Sequence, residues 1–201
     1  MDLPRILSEM EIAGFREKLC AVATRIVVEH GHEGFNMRLL ASRMGISAMT
    51  PYRYFKDKDE ILSAIRARAF DHFADQLEAA LAKPGNAAER GAALAKAYVR
   101  FALEEQVCYR LMFDLAQAPG AAQVPELAAA EKRARAAITD PVRGLIADGA
   151  YKGDADMIGH VFWAALHGAV VLHLAGKLDG AVNFEALLAE VTAMLRQMYK
   201  P

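Results

Sequence analysis

The stretch from Gly34 to Leu62 constrains the fold more than any other, because it fixes where two helices end and begin within a few residues. Asn36 is a good N-cap for a short helix over Met37–Met44, whose Leu40, Ala41 and Met44 lie three to four apart on one face. Gly45 then ends that helix, since only glycine takes the left-handed conformation there without steric cost. Ile46 is the apolar plug of the turn. Ser47 is the expected N-cap of a second helix, Ala48 to Phe55. Two helices joined by a short glycine turn form the geometry in which the second helix enters a DNA major groove.

The side chains suit that geometry. Met49, Thr50 and Arg53 lie near the start and on one side of the second helix, within the stretch from Ala48 to Tyr54 that would enter the groove. Thr50 can bond a base edge or touch a thymine methyl, and Arg53 can reach guanine O6 and N7. Tyr52, Tyr54, Lys56 and Lys58 have the reach of phosphate donors, with Arg38 as another from the first helix. Residues 34–58 hold five Arg/Lys (38, 43, 53, 56 and 58) against the single acid Asp57, although the whole chain carries a net charge of −1. Local positive charge on a near-neutral chain is what a small phosphate-binding face requires.

Gly34-Phe35, Leu40-Ala41, Gly45-Ile46-Ser47, Tyr52-Arg53-Tyr54-Phe55 and Lys58-Asp59-Glu60-Ile61-Leu62 together resemble the DNA-binding domain of the TetR family of transcriptional regulators. The likeness covers roughly residues 10–65. Pro51 departs from the pattern: it removes a backbone N–H from the first turn and leaves that turn 3₁₀-like or pushes the regular helix later. Trp163, His167 and Gly168 also resemble the C-terminal domain of a TetR subgroup named for its Trp-His-Gly pattern.

The remaining chain reads as helix throughout, with no strand candidate. Ser8 and Glu11 form a capping box for a first helix carrying Ile12, Phe15, Leu19, Val22, Ile26 and Val27 on one face, ended by His30-Gly31. Asp57 caps a long helix to about Lys83. Pro84-Gly85-Asn86 is the clearest break. Helices then follow over 87–105, 107–118, 125–148 (with Pro141 expected to kink or split it near Thr139-Asp140), 154–175 and 184–199. The helix containing Val161 to Leu174 is apolar almost all round, so both sides should be covered. The expected division is a helix-turn-helix domain at 1–57, with an arm at 1–7, and a ligand-binding and dimerisation domain at 58–201.

With 201 residues and 54% hydrophobic content the chain can build ample core. No uninterrupted apolar run reaches the ~18 residues of a membrane span, and no signal-peptide core is present, so a cytoplasmic protein without a membrane partner is expected. Cys20 and Cys108 fit buried free thiols better than a redox pair. His160 and His167 share a helix face at a seven-residue spacing, unlike His-Glu-x-x-His. No phosphate loop, nucleophile elbow or Cys-x-x-Cys occurs. No catalytic residue, metal site or cofactor is therefore assigned, and the chain is not read as an enzyme. Tyr98, Phe101, Tyr109, Met112, Phe113, Phe162, Trp163 and His167 could line an apolar cavity or form solid core.

What the resemblance implies is an all-α homodimer that binds a palindromic operator in double-stranded DNA, acting as a repressor released by an unidentified small hydrophobic effector. The alternative is an all-α ligand-binding or enzymatic protein in which the helix-turn-helix is merely structural.

Overall fold

The first helix, α1 (Glu9–Gly34), begins at the expected capping box: Ser8 accepts from the Glu11 amide, and the Glu11 carboxylate accepts from the Ser8 amide at 2.9 Å. The computed structural model describes residues 8–113, 124–178, 180 and 182–201. Arm residues 1–7 and the expected end of the helix at 107–118 lie outside those residues. Gly31 breaks α1 internally, with φ 71° and ψ 173°, so the expected stop at His30-Gly31 is a kink followed by one more turn. Leu19, Ala23 and Ile26 are fully buried along its inner face.

The next helix, α2 (Met37–Met44), starts at Asn36, whose carbonyl accepts from the Leu39 amide at 2.9 Å. It ends at Gly45 in the left-handed conformation, and the Ile46 amide reaches back to the Ala41 carbonyl at 3.0 Å. Then come α3 (Lys58–Leu81), α4 (Ala87–Glu104), α5 (Gln106–Phe113), α6 (Pro125–Ala147), α7 (Ala155–Leu174) and α8 (Phe184–Met198). Asp57 caps α3, Asn86 caps α4, Asp154 caps α7 and Asn183 caps α8, each accepting an amide from the first turn. The all-α expectation holds: the described residues form eight α-helices and one 3₁₀ turn.

Two compact units are present. One comprises the described parts of Met1–Ala69 and Arg110–Ala128; the other comprises those of Phe70–Tyr109 and Ala129–Pro201. The division falls inside α3 rather than between Asp57 and Lys58, because α3 buries residues in both units. Ile61, Leu62 and Ile65 belong to the first core, and Phe73, Ala74 and Leu77 to the second.

In the second unit, α6 runs as one helix through Pro141, so of the two expected effects of that proline the split does not occur. Thr139, just before the proline, is buried and turns its hydroxyl onto the Arg135 carbonyl at 3.2 Å. There α6 crosses α7 at Gly159, where an added Cβ would stand 3.0 Å from the Thr139 Cα. Glycine is needed for this close approach. By length and hydropathy α7 could cross a membrane; in this fold it packs against α4 and α8. Met157, Val171 and Leu172 of α7 and Met194 and Met198 of α8 remain exposed.

Candidate nucleic-acid interface and effector cavity

The segment after Gly45 departs from the expected helix. Instead of an α-helix over Ala48–Phe55, the chain forms a single 3₁₀ turn, Pro51–Arg53, flanked by turn residues. The hydrogen bonds give the reason. Proline has no N–H to donate to the Ser47 carbonyl, which accepts from Thr50 at 2.9 Å instead. Arg53 bonds Thr50 and Tyr54 bonds Pro51, both at three-residue spacing. Thr50 and Tyr54 keep right-handed helical angles, and the Phe55 amide bonds the Pro51 carbonyl at four-residue spacing and 3.0 Å, so the segment is helix-like in course with a single α-type bond at its end.

This turn is held from beneath. Pro51 and Phe55 are buried. The Arg16 guanidinium lies 4.0 Å over the Phe55 ring, donates to the Tyr54 carbonyl and pairs with Glu60 at 3.4 Å. Phe15 packs on the Tyr54 ring with centroids 4.6 Å apart. Arg16 is a positioning residue that the sequence did not single out: an arginine within an amphipathic helix carries no local sign of the loop it will hold.

The upper side is open. Met49 is 69% exposed and Tyr52 47%, with Arg38, Ala48, Arg53 and Lys56 also exposed and Thr50 half-buried. Among the described residues Arg38, Arg53 and Lys56 have no ion pair, whereas Arg43 pairs with Glu29 at 2.8 Å and holds that carboxyl below the usual range. Lys58 is half-buried, and its ammonium donates to the His32 carbonyl at 3.1 Å, near the C-terminus of α1. That explains a cation in the first turn of α3: it serves the negative end of another helix. Two of its three protons remain for another acceptor.

The second unit holds a partly open cavity of about 260 Å³. Of the residues expected to line it, Tyr98, Phe162 and Trp163 do so. Their neighbours include Leu94 on α4, Ile138, Val142 and Leu145 on α6, and Leu166 on α7. Phe101 is instead packed on Phe73, with centroids 5.0 Å apart. Met112 and Phe113 lie in the first unit. Tyr109 and His167 stand behind the wall: the Tyr109 hydroxyl is 2.9 Å from that of Tyr98 and 2.7 Å from His167 Nδ1. Tyr98 can thus donate to Tyr109 and Tyr109 to a neutral imidazole protonated on Nε2. Burial pushes the Tyr98 hydroxyl up to about 12, with hydrogen bonds to Tyr109 and Trp163 opposing the shift.

At one end of the cavity stand Tyr151, Arg196 and Lys200, none of them singled out from the sequence. The Lys152 amide bonds the Tyr199 carbonyl at 2.9 Å, and the Tyr151 and Phe162 rings stack with centroids 6.1 Å apart. The first contact joins the α6–α7 loop to the end of α8, and the second joins it to α7.

Comparison with known proteins supports both halves. The family description "Bacterial regulatory proteins, tetR family" matches residues 19–65, and "Tetracyclin repressor-like, C-terminal domain" matches residues 91–195. The HTH-type transcriptional activator FasR of Mycolicibacterium smegmatis is 29% identical over 131 residues, which cover 65% of this chain and 58% of FasR. The chain thus spans less than two thirds of that relative. A solved protein of unknown function from Rhodococcus sp. RHA1 is 28% identical, with a TM-score of 0.81 and full coverage of both chains. The fatty acid degradation regulator FadR from Bacillus halodurans shares the fold, with a TM-score of 0.70 at 14% identity over 95% of this chain and 96% of that one.

Proposed function

Since the chain belongs to the tetR family of bacterial regulatory proteins, we propose that it is a homodimeric, sequence-specific DNA-binding repressor released from a palindromic operator by a small apolar ligand. The observation that carries this reading is the turn around Pro51, where the exposed Arg53 stands without an ion pair among the described residues, in a turn supported by the buried Phe55 and the half-buried Arg16. Ala48, Met49, Thr50 and Arg53 face the bases in this proposal. Arg38, Tyr52, Tyr54 and Lys58 hold phosphates. The exposed methionines and valine of α7 and α8 form the subunit interface, an apolar surface that a two-fold related copy would cover. Trp163, His167 and Gly168 support a place in the Trp-His-Gly subgroup. We assign the chain to the cytoplasm and give it no catalytic step.

The effector occupies the cavity beside Tyr98. It can act only if it binds two conformations unequally. Helix α6 offers the coupling, because it supplies Ile138, Val142 and Leu145 to the cavity and also grips α3. The Arg133 guanidinium reaches Asp75 and Glu78 at 2.6 Å and Asp71 at 3.4 Å, so a shift of α6 pulls on the helix that continues into the first unit.

A second reading makes the protein an activator, favoured by the name of the relative FasR. In vitro transcription from a promoter that the protein binds separates the two. Repression predicts that added protein lowers the transcript and that effector restores it; a transcript raised by the protein establishes activation.

A further inference from the structure

The cavity is lined by two cations and no acid among the described residues: Arg196 and Lys200 at one end, apolar and aromatic groups elsewhere. Two of its hydroxyls are already engaged. The Tyr98 hydroxyl belongs to the Tyr109–His167 chain, and the Thr192 hydroxyl turns back onto the Leu188 carbonyl at 2.6 Å. A ligand therefore finds no hydrogen-bonding anchor offered by Tyr98 or Thr192, and finds uncompensated positive charge at the other end. Arg196 and Lys200 are four residues apart and form no ion pair among the described residues. Arg196 lies close enough to Tyr151 to favour its ionised form against the effect of burial, which puts the guanidinium beside the phenol at the same end. An alkyl chain without a head group would leave both cations unmatched. A cationic amphiphile would meet repulsion there.

We propose that the effector is an alkyl chain ending in one anionic group, a carboxylate or a phosphate monoester, with the chain against Leu94, Phe162 and Trp163 and the anion between Arg196 and Lys200. This rests on reading the cavity as the effector site, and adds the class of molecule it selects. Charge-assisted hydrogen bonds to both side chains favour the anion over a neutral analogue of equal length.

Trp163 is the only tryptophan in the sequence, and it lines the cavity. Its fluorescence reports occupancy without reference to DNA. The full-length protein is titrated with decanoate, decyl phosphate, decanol and decylamine. The expected order is decanoate or decyl phosphate ahead of decanol by roughly tenfold, with decylamine weakest. The stronger of the two anions identifies the natural head group. In Arg196→Gln and Lys200→Gln, both changes at exposed positions, the anions fall toward decanol while decanol is unchanged. Equal binding of all four, or an anion preference that survives both substitutions, overturns the head-group assignment and leaves the cavity as an effector site. No response to any of the four overturns the effector reading of the cavity with it.

Discussion

Tyrosine is used in opposite ways in the two units. Tyr52 is 47% exposed beside the unpaired Arg53, whereas Tyr98 is 2% exposed and shares its hydroxyl with Tyr109 and His167. Around the Pro51 turn the Phe55 ring is buried and Arg38, Arg53 and Lys56 are left outward, without an ion pair among the described residues. Around the cavity the Tyr98 and Thr192 hydroxyls are consumed internally and the apolar walls are left facing empty space. A surface of the first kind is suited to a highly charged, hydrated polymer, whose recognition depends on hydrogen bonds and salt. A cavity of the second kind selects by shape and apolar area, and by charge only where a cation remains at its edge. The pairing of the two is what a ligand-responsive DNA-binding protein needs.

The contrast breaks most sharply at the pedestal. Phe55→Ala removes a buried ring and should cost about 3–5 kcal/mol of stability in the first unit, abolishing DNA binding at physiological salt. Chemical denaturation should show that unit melting early while the emission of Trp163 holds. Simultaneous loss of both signals would mean the units do not differ in this way.

Next is pH. The Tyr98 hydroxyl is raised from 10.0 to about 12 in the folded protein, so the unfolded chain ionises first. Stability is complete below about pH 10 and is lost as pH rises through 12, by about 2–3 kcal/mol. Denaturant melts at about pH 9 and pH 11.5 should show about 2 kcal/mol of that loss in the native sequence and a smaller one in Tyr98→Phe. Equal losses in both proteins would show that Tyr98 is not held neutral by its surroundings.

Arg53→Ala sharpens the outward half. It should cost about 1–3 kcal/mol on the best site and relax base preference at one position of each half-site. Unchanged specificity across a site library removes Arg53 from the base readers. The smallest effect belongs to Lys58→Ala, which should weaken all DNA sequences alike and reduce the salt slope by about one. If only thermal stability falls, the bond from Lys58 to the His32 carbonyl is its whole role.

Local signals carried the sequence reading far. Asn36, Gly45 and the Ser8–Glu11 box act through neighbours within a few residues, and each stands where it was expected. Pro51 was visible as a disturbance, and a 3₁₀-like first turn was one of the two outcomes its missing N–H allowed, but the sequence could not say that no regular α-helix would follow that turn before Phe55. The cavity was only half legible. Tyr98, Phe162 and Trp163 line it, yet Phe101, Tyr109, Met112 and Phe113 have the same composition and stand elsewhere, because lining depends on which helix faces which. Arg16, Tyr151, Arg196 and Lys200 gave no signal at all. Their roles arise from contacts between helices distant in sequence.

The central claim is that the turn around Pro51 reads DNA in a specific sequence. Selection of genomic fragments by the purified full-length protein, first at low and then at physiological salt, tests it most directly. The expected result is an enriched palindrome whose half-sites lie about one or more helical turns apart. Retention of fragments with no common sequence, or no retention at either salt, would contradict it.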